Sequence, residues 1–328
     1  VCSLVCTGTE ANDLAYRIAR SVTGNRGAIM TDGAYHGNST LVSELSRPFE
    51  CPRPMPDFIV EAEAPYTYRG SFGKDHPDYV QAYADCVDDA IDRLHANGHK
   101  PAMMIIDSIF DGKGILTPPP EYQQKVYEKV CAAGGLVVAD EVQSGLGRLG
   151  DNLGGFMDSG VVPDIVTMGK PMGDGHPLAV VMTTPDIAAG FAKESGYFNT
   201  FGGNPVSAEV GKKVLEIVQR DELMANVRET GQHLKAGLDR LAATHELIGE
   251  VRGKGFFIGI ELVTDREDKT PASDETAATI ERMRESGVLV SPIGRYRNIV
   301  KIRPPLTFRK GHADIVLEKL DDALARVA

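Results

Sequence analysis

Apolar side chains recur along this chain with two different periods, and the periods alternate. Over 8–23, Leu14, Ile18 and Val22 fall four apart, the spacing that lines one face of an α-helix. Thr7, with Glu10 three residues on, matches a capping box at its start. Val80, Tyr83, Val87, Ile91 and Leu94 predict a helix over 79–96, and two more are expected at 121–133 and 205–219. Between them lie short apolar runs at 28–31, 58–60, 102–106, 136–139, 165–168 and 178–182. Runs of that length bounded by Gly, Pro and Asp read as buried strands. Strands alternating with helices predict an α/β fold, a mainly parallel sheet with helices on both faces.

The pattern changes after residue 219. Helices near 222–243, 274–285 and 312–327 alternate with strands near 256–263, 287–290 and 299–302, which predicts a smaller α+β domain. The expected division is a large domain over 1–219 and a small C-terminal domain over 220–328, with the 205–219 helix as connector. Residues 263–272 read as a charged surface loop. A helix opening at residue 8 without a lead-in strand suggests that the N-terminal part of the large domain is missing.

The chain of 328 residues is long enough for two domains, and its 42% hydrophobic and 25% charged content is that of a globular protein. A net charge of −11 without a Lys/Arg run argues against nucleic acid or an anionic membrane as the main partner. No apolar run approaches the roughly 20 residues that span a bilayer. The five cysteines, Cys2, Cys6, Cys51, Cys86 and Cys131, form no CxxC pair, so neither a zinc site nor a disulfide framework is expected. Reduced thiols in the cytoplasm are the preferred expectation.

Several segments carry candidate chemistry. TGTEAN at 7–12 opens a helix: Gly8 lets backbone approach an anion, and Thr7 and Thr9 add hydroxyls. An ordinary helix cap explains the same residues. In Tyr35-His36-Gly37 the aromatic ring can cover a flat ligand or simply pack as a loop side chain. Asp140 follows a wholly apolar strand, where ligands of such folds bind, and can pair with a buried cationic nitrogen. Val142 can pack on a ring and Gln143 can donate to a phenolate oxygen. Lys170 sits in a Gly/Pro-rich loop after a strand, where desolvation favours the neutral nucleophile; most of the chain's lysines are simply solvated. Thr200, in a Gly-rich turn, adds a further phosphate donor. Pyridoxal 5′-phosphate (PLP) makes these demands together: an imine-forming lysine, a carboxylate for the pyridine nitrogen, donors for a phosphate and a sandwich for the ring.

The order of TGTEAN (7–12), YHG (35–37), DEVQSGLGR (140–148), TMGKPMGDGHP (167–177), NTFGGNP (199–205) and KIRPPL (301–306) resembles that of the class III aminotransferases, PLP enzymes of fold-type I. The resemblance implies that Gly8 and Thr9 bind the PLP phosphate, that Tyr35 stacks on the ring with His36 beside it, and that Asp140 pairs with the pyridine nitrogen. It implies that Gln143 contacts the ring hydroxyl and that Lys170 is the Schiff-base lysine. Thr200 would reach the PLP phosphate of a neighbouring subunit, which implies a homodimer with composite sites. The family usually carries about a hundred residues before the point where this chain begins.

Within the class the chain is most similar to the ethanolamine-phosphate phospho-lyase branch, through Thr67-Tyr-Arg-Gly70, Asp75-His76, Thr270-Pro-Ala272 and Arg297–Pro305 among others. The arginine that grips a carboxylate in many members is replaced by Lys301, with Arg303 two residues on, and the glutamate that swings onto it is replaced by Gly112. A Lys301/Arg303 patch would suit a substrate phosphate. Two solvated strand-end cations are the plain alternative. Asp107 is expected to act only from behind the ligand-contacting residues. The implied activity is elimination of phosphate from phosphoethanolamine or a similar phosphorylated amine, with Lys170 as general base. The alternatives are an ω-amino-acid or alanine–glyoxylate-type aminotransferase, and a non-catalytic dimeric scaffold of the same fold.

Overall fold

The computed structural model describes residues 1–48, 53–194 and 196–327. A seven-stranded sheet is built from β1 (Cys2–Val5), β2 (Gly27–Thr31), β3 (Ile59–Ala62), β4 (Pro101–Asp107), β5 (Leu136–Asp140), β6 (Ile165–Met168) and β7 (Ala179–Thr183). Their order is β1-β7-β6-β5-β4-β2-β3. The pairs from β3 through β6 are parallel, while β7 runs antiparallel to β6 and to β1.

Successive strand residues feed opposite faces, as a period of two requires. Met30, Ile105 and Val138 pack under α1 (Gly8–Thr23) with Leu14 and Ile18. Ile29, Met104 and Val137 pack on the other face against Tyr83 and Val87 of α2 (Tyr79–Ala96) and Val126 of α3 (Pro120–Ala132). The sheet is therefore covered on both sides, which is why its strands read as continuous apolar runs. α4 (Pro185–Glu194) follows β7 and contributes Phe191 to the α1 side.

α5 (Pro205–Arg220) leads to a second group: α6 (Leu223–Thr244), β8 (Ile248–Lys254), β9 (Phe257–Leu262), α7 (Ser273–Glu285), β10 (Ser291–Ile293), β11 (Ile299–Ile302) and α8 (Lys310–Ala325). The four strands form an antiparallel sheet in the order β10-β11-β9-β8. Its core joins Ile258, Ile260 and Leu262 to Leu234 and Leu238 of α6 and Leu320 of α8.

A buried ion network ties this sheet to the larger unit. Arg252 of β8 donates to Glu261 of β9 at 2.6 Å and to the carbonyls of Gly114 and Ile115 at 2.7 and 3.1 Å. The Tyr66 hydroxyl and the Arg69 guanidinium also donate to Glu261. Burial alone would raise the Glu261 pKa, but Arg252, Tyr66 and Arg69 outweigh it and hold the carboxyl below its ordinary value.

The structure corrects several expectations. α1 does have a lead-in strand: β1 lies at the edge of the sheet, too short and polar at its start (Cys2, Ser3) to stand out as an apolar run. The capping box is half formed. Thr7 Oγ1 accepts the Glu10 amide at 3.1 Å, but Glu10 turns one residue further back, to the Cys6 amide at 2.7 Å. Val22 is exposed, so the buried stripe of α1 ends a turn early. β8 and α4 were not expected; β8 hides because Glu250, Arg252 and Lys254 break its apolar pattern. The strand expected at 287–290 is instead β10 at Ser291–Ile293, and Leu289 in the expected run is exposed. Cys2, Cys6, Cys86 and Cys131 are free, and Cys51 lies outside the described residues. No described helix is long and apolar enough to cross a membrane.

Candidate active site

The parallel strands β4, β5 and β6 end at one edge, and the candidate residues collect there. Register sets Asp107 beside Asp140 and Asp140 beside Thr167, and Lys170 lies three residues beyond Thr167. Lys170 has φ +20°, a backbone setting that side-chain-bearing residues rarely adopt. The turn follows Gly169, which packs near the Gly8 amide and Val142, and precedes Pro171.

Asp140 is buried and held on three sides. Its Oδ2 accepts from Asn12 Nδ2 at 2.9 Å and lies 2.7 Å from His36 Nδ1. Its Oδ1 accepts the Val142 amide at 3.0 Å. The Asn12 amide is itself oriented: its Oδ1 accepts from Thr167 Oγ1 at 2.7 Å, and its Nδ2 also donates to the His36 carbonyl at 2.7 Å. Asn12 and Thr167 were not anticipated in the sequence. The available signal was a polar residue on the buried stripe of α1, in line with Ala15 and Ala19. Glu141, next to Asp140, faces away and accepts from the amides of Gly155 and Phe156 at 2.8 and 2.7 Å, a structural task.

A cavity of about 170 Å³ is bounded by Gly8, Thr9, Tyr35, His36, Asp140, Val142, Gln143 and Lys170, so these eight expected residues meet in one place. Asp107 lines it too; its carboxylate accepts the Ile109 and Asp111 amides at 3.1 and 2.7 Å. Burial, with Asp111 and Asp140 nearby, pushes the Asp107 pKa up to about 8. Burial also lowers the pKa of Lys170; Asp140 opposes this and Arg303 reinforces it.

The cavity suits PLP on its own chemistry. Its lining brings together the Asp140 carboxylate, the Lys170 amine, Val142 and Tyr35, and Gly8 and Thr9 at the N-terminus of α1. His36 Nε2 is buried without a partner. Gly8 fits against Val142 only because it lacks a side chain: a Cβ there would lie 2.7 Å from Val142 Cγ1.

The remaining candidates are placed differently. Gln143 bridges two groups, donating to Asp111 and accepting from Arg303. Lys301 does not stand beside Arg303 as a free cation, because Asp111 holds its Nζ at 2.8 and 2.9 Å. Arg303 instead lines a second cavity of about 420 Å³ that shares Lys170 and Gln143 with the first. Thr200 is exposed and lines neither cavity; its turn packs near β1, where Gly202 approaches the Leu4 carbonyl. At Gly112 a Cβ would lie 2.3 Å from the Gly33 carbonyl oxygen, so this backbone leaves no room for a glutamate.

Comparison with known proteins agrees with this geometry. The aminotransferase class-III family model matches residues 2–324. An alanine–glyoxylate aminotransferase 2-like protein of Drosophila melanogaster is 39% identical, across 100% of this chain and 68% of its own length. Ethanolamine-phosphate phospho-lyase homolog 1 of Caenorhabditis elegans is 36% identical, across 97% of this chain and 71% of its own. The chain thus spans about two thirds of the length of the curated relatives it matches. Among solved structures, a phospholyase from Arthrobacter in complex with phosphoethanolamine superposes with a TM-score of 0.94 at 40% identity, covering 99% of this chain and 77% of that one. The chain therefore belongs to the class-III aminotransferase family, with pyridoxal phosphate as its cofactor.

Proposed function

We propose that this protein is a phospho-lyase acting on a small phosphorylated amine such as phosphoethanolamine, which with one water yields aldehyde, ammonia and inorganic phosphate. Bound PLP supplies an aldehyde that takes up the amine and a ring that holds the electron pair left when the adjacent carbon loses its proton. Gly8 and Thr9, at the start of α1, are placed to hold the cofactor phosphate, and Tyr35 and Val142 to flank the ring. Asp140, steadied by Asn12 and the Val142 amide, keeps a proton on the ring nitrogen. Lys170, whose charge burial disfavours, takes the proton from the carbon bearing the substrate nitrogen. Arg303 draws the phosphate away from the neighbouring carbon.

The observation that carries this assignment is the cationic wall beside Lys170: Arg303 faces the larger cavity, donating to the Gln143 amide and lying over the Phe257 ring, with no carboxylate partner among the described residues. At Gly112 the backbone has no room for the acid that a dual-substrate aminotransferase would swing onto position 301, and Lys301 there is held by Asp111 instead. The solved relative holding phosphoethanolamine points the same way. We also take 1–219 and 220–328 as the two domains, and a homodimer as the working assembly, with exposed Thr200 serving the partner's cofactor.

The test is to give the full-length holoenzyme phosphoethanolamine without a 2-oxo acid. Phosphate and acetaldehyde should accumulate over many turnovers. No phosphate release, with amine transfer to pyruvate, would overturn the assignment in favour of an aminotransferase, the activity that the Drosophila relative's name carries.

A further inference from the structure

The larger cavity beside Lys170 has mostly apolar walls, among them Leu146, Val214 and Ile217, yet two guanidiniums line it, Arg148 and Arg303. Arg148 donates to the Pro304 carbonyl at 2.7 Å, and Arg303 donates to the Gln143 side-chain carbonyl. Among the described residues neither makes an ion pair with a carboxylate. Asp174, on the exposed rim, is the one acid lining the cavity, and it pairs with neither. A guanidinium carries five N–H donors, so most of those here have no protein acceptor. The two like charges also oppose each other: burial first, and then Arg303, pull the Arg148 pKa down to about 10. Arg148 is half-buried, while Arg303 is exposed to the cavity and lies over the Phe257 ring, so the free donors of both can face a ligand there. Lys301, which does not line the cavity, is already neutralised by Asp111.

We propose that Arg148 and Arg303 together form an anion subsite that takes the phosphoryl dianion of the substrate. The proposal rests on the phospho-lyase assignment and names the pair that would recognise its phosphate. Two guanidiniums match the two charges of a phosphate monoester, whereas one carboxylate would neutralise half of them. With the amine at Lys170, which borders both cavities, the phosphate of a short phosphorylated amine reaches into the larger one.

The experiment uses full-length holoenzyme, in which PLP fills its own phosphate cradle, and inorganic phosphate as probe. Calorimetric titration should show Arg148→Gln binding phosphate about tenfold or more weakly than the unaltered enzyme. Arg148→Lys should fall between them, because a point charge replaces a two-pronged donor. Equal affinity in the unaltered enzyme and Arg148→Gln overturns the subsite. Where Arg148→Gln does not retain PLP, the unaltered holoenzyme decides. Phenylglyoxal labelling of Arg148, followed by peptide mass mapping, should slow by about half at a phosphate concentration equal to its Kd. Labelling that ignores phosphate, or that acetate slows equally well, overturns the phosphoryl assignment. Neither measurement uses turnover, so failure of the phospho-lyase assignment alone would appear only in the phosphate-release assay.

Discussion

Lys170 is exposed where it borders the two cavities, yet the protein packed around it lowers its pKa. With its pKa lowered, the neutral form is present at lower pH than in a free lysine, as the proposed proton acceptor needs. Replacing it, as in Lys170→Ala, is expected to cut phosphate release by about 10²-fold or more. Asn12 holds the Asp140 carboxylate. Asn12→Ala removes a donor from Asp140 and leaves the Thr167 hydroxyl and His36 carbonyl without that partner. A loss of about 1–3 kcal/mol in stability is expected, together with faster PLP release measured by its absorbance after dilution. Unchanged PLP retention would remove Asn12 from the cofactor's support. Asp107 gives a pH signature. Its carboxyl is protonated in the folded cofactor-free protein up to about pH 8, while the unfolded chain ionises near 3.8, so folding binds a proton between those values. Stability from this group is unaffected below 3.8, falls as pH rises from 3.8 to 8, and levels off above. Asp107→Asn should flatten that part of a Tm-against-pH profile; an unchanged slope would place the titration elsewhere.

At the scale of elements, the apolar runs were legible because a doubly covered parallel sheet leaves no polar face, and the helices because their stripes keep helical spacing. The segments that escaped are those whose pattern serves something else. β8 carries Arg252 for an internal ion pair, β1 is a four-residue edge strand, and α4 buries Phe191 with Ile187 packed at the margin of the core. The same logic divides the site. Asp140 and Lys170 stood out as candidates because a charge ends or follows an apolar strand. Asn12 was not, since its purpose depends on three residues distant in sequence. Nor was the pairing of Lys301 with Asp111, which register alone cannot reveal. The loop after β4 also makes a prediction. Gly112→Glu would not install a carboxylate switch, because its Cβ meets the Gly33 carbonyl. Overpacking of this kind costs about 1–3 kcal/mol, readable as a lower urea midpoint. A variant of unchanged stability that gained amine transfer would refute the close packing.

Across the whole molecule, the two sheets are joined by Arg252 and Glu261 together with Tyr66, Arg69 and the 114–115 backbone. The same loop runs through Asp111, which holds Lys301 and Gln143, so the network and the site share one segment. Arg252→Met would leave buried Glu261 with Arg69 and Tyr66 but without its Arg252 partner, and is expected to cost about 1.5–3 kcal/mol in urea unfolding. Because the folded Glu261 pKa is depressed, the stability it confers is present above the ordinary value of 4.5 and is lost as pH falls through the folded one. Glu261→Gln should therefore lose part of the acid sensitivity of unfolding. An Arg252→Met protein as stable as the parent would show that the network does not hold the sheets together.

The account as a whole depends on one amine beside one acid at the ends of two neighbouring strands. Borohydride reduction of the holoprotein, followed by peptide mapping, tests this most directly. The reduced cofactor's mass should sit on the peptide containing Lys170; finding it on another lysine, or on none, would contradict the site described above.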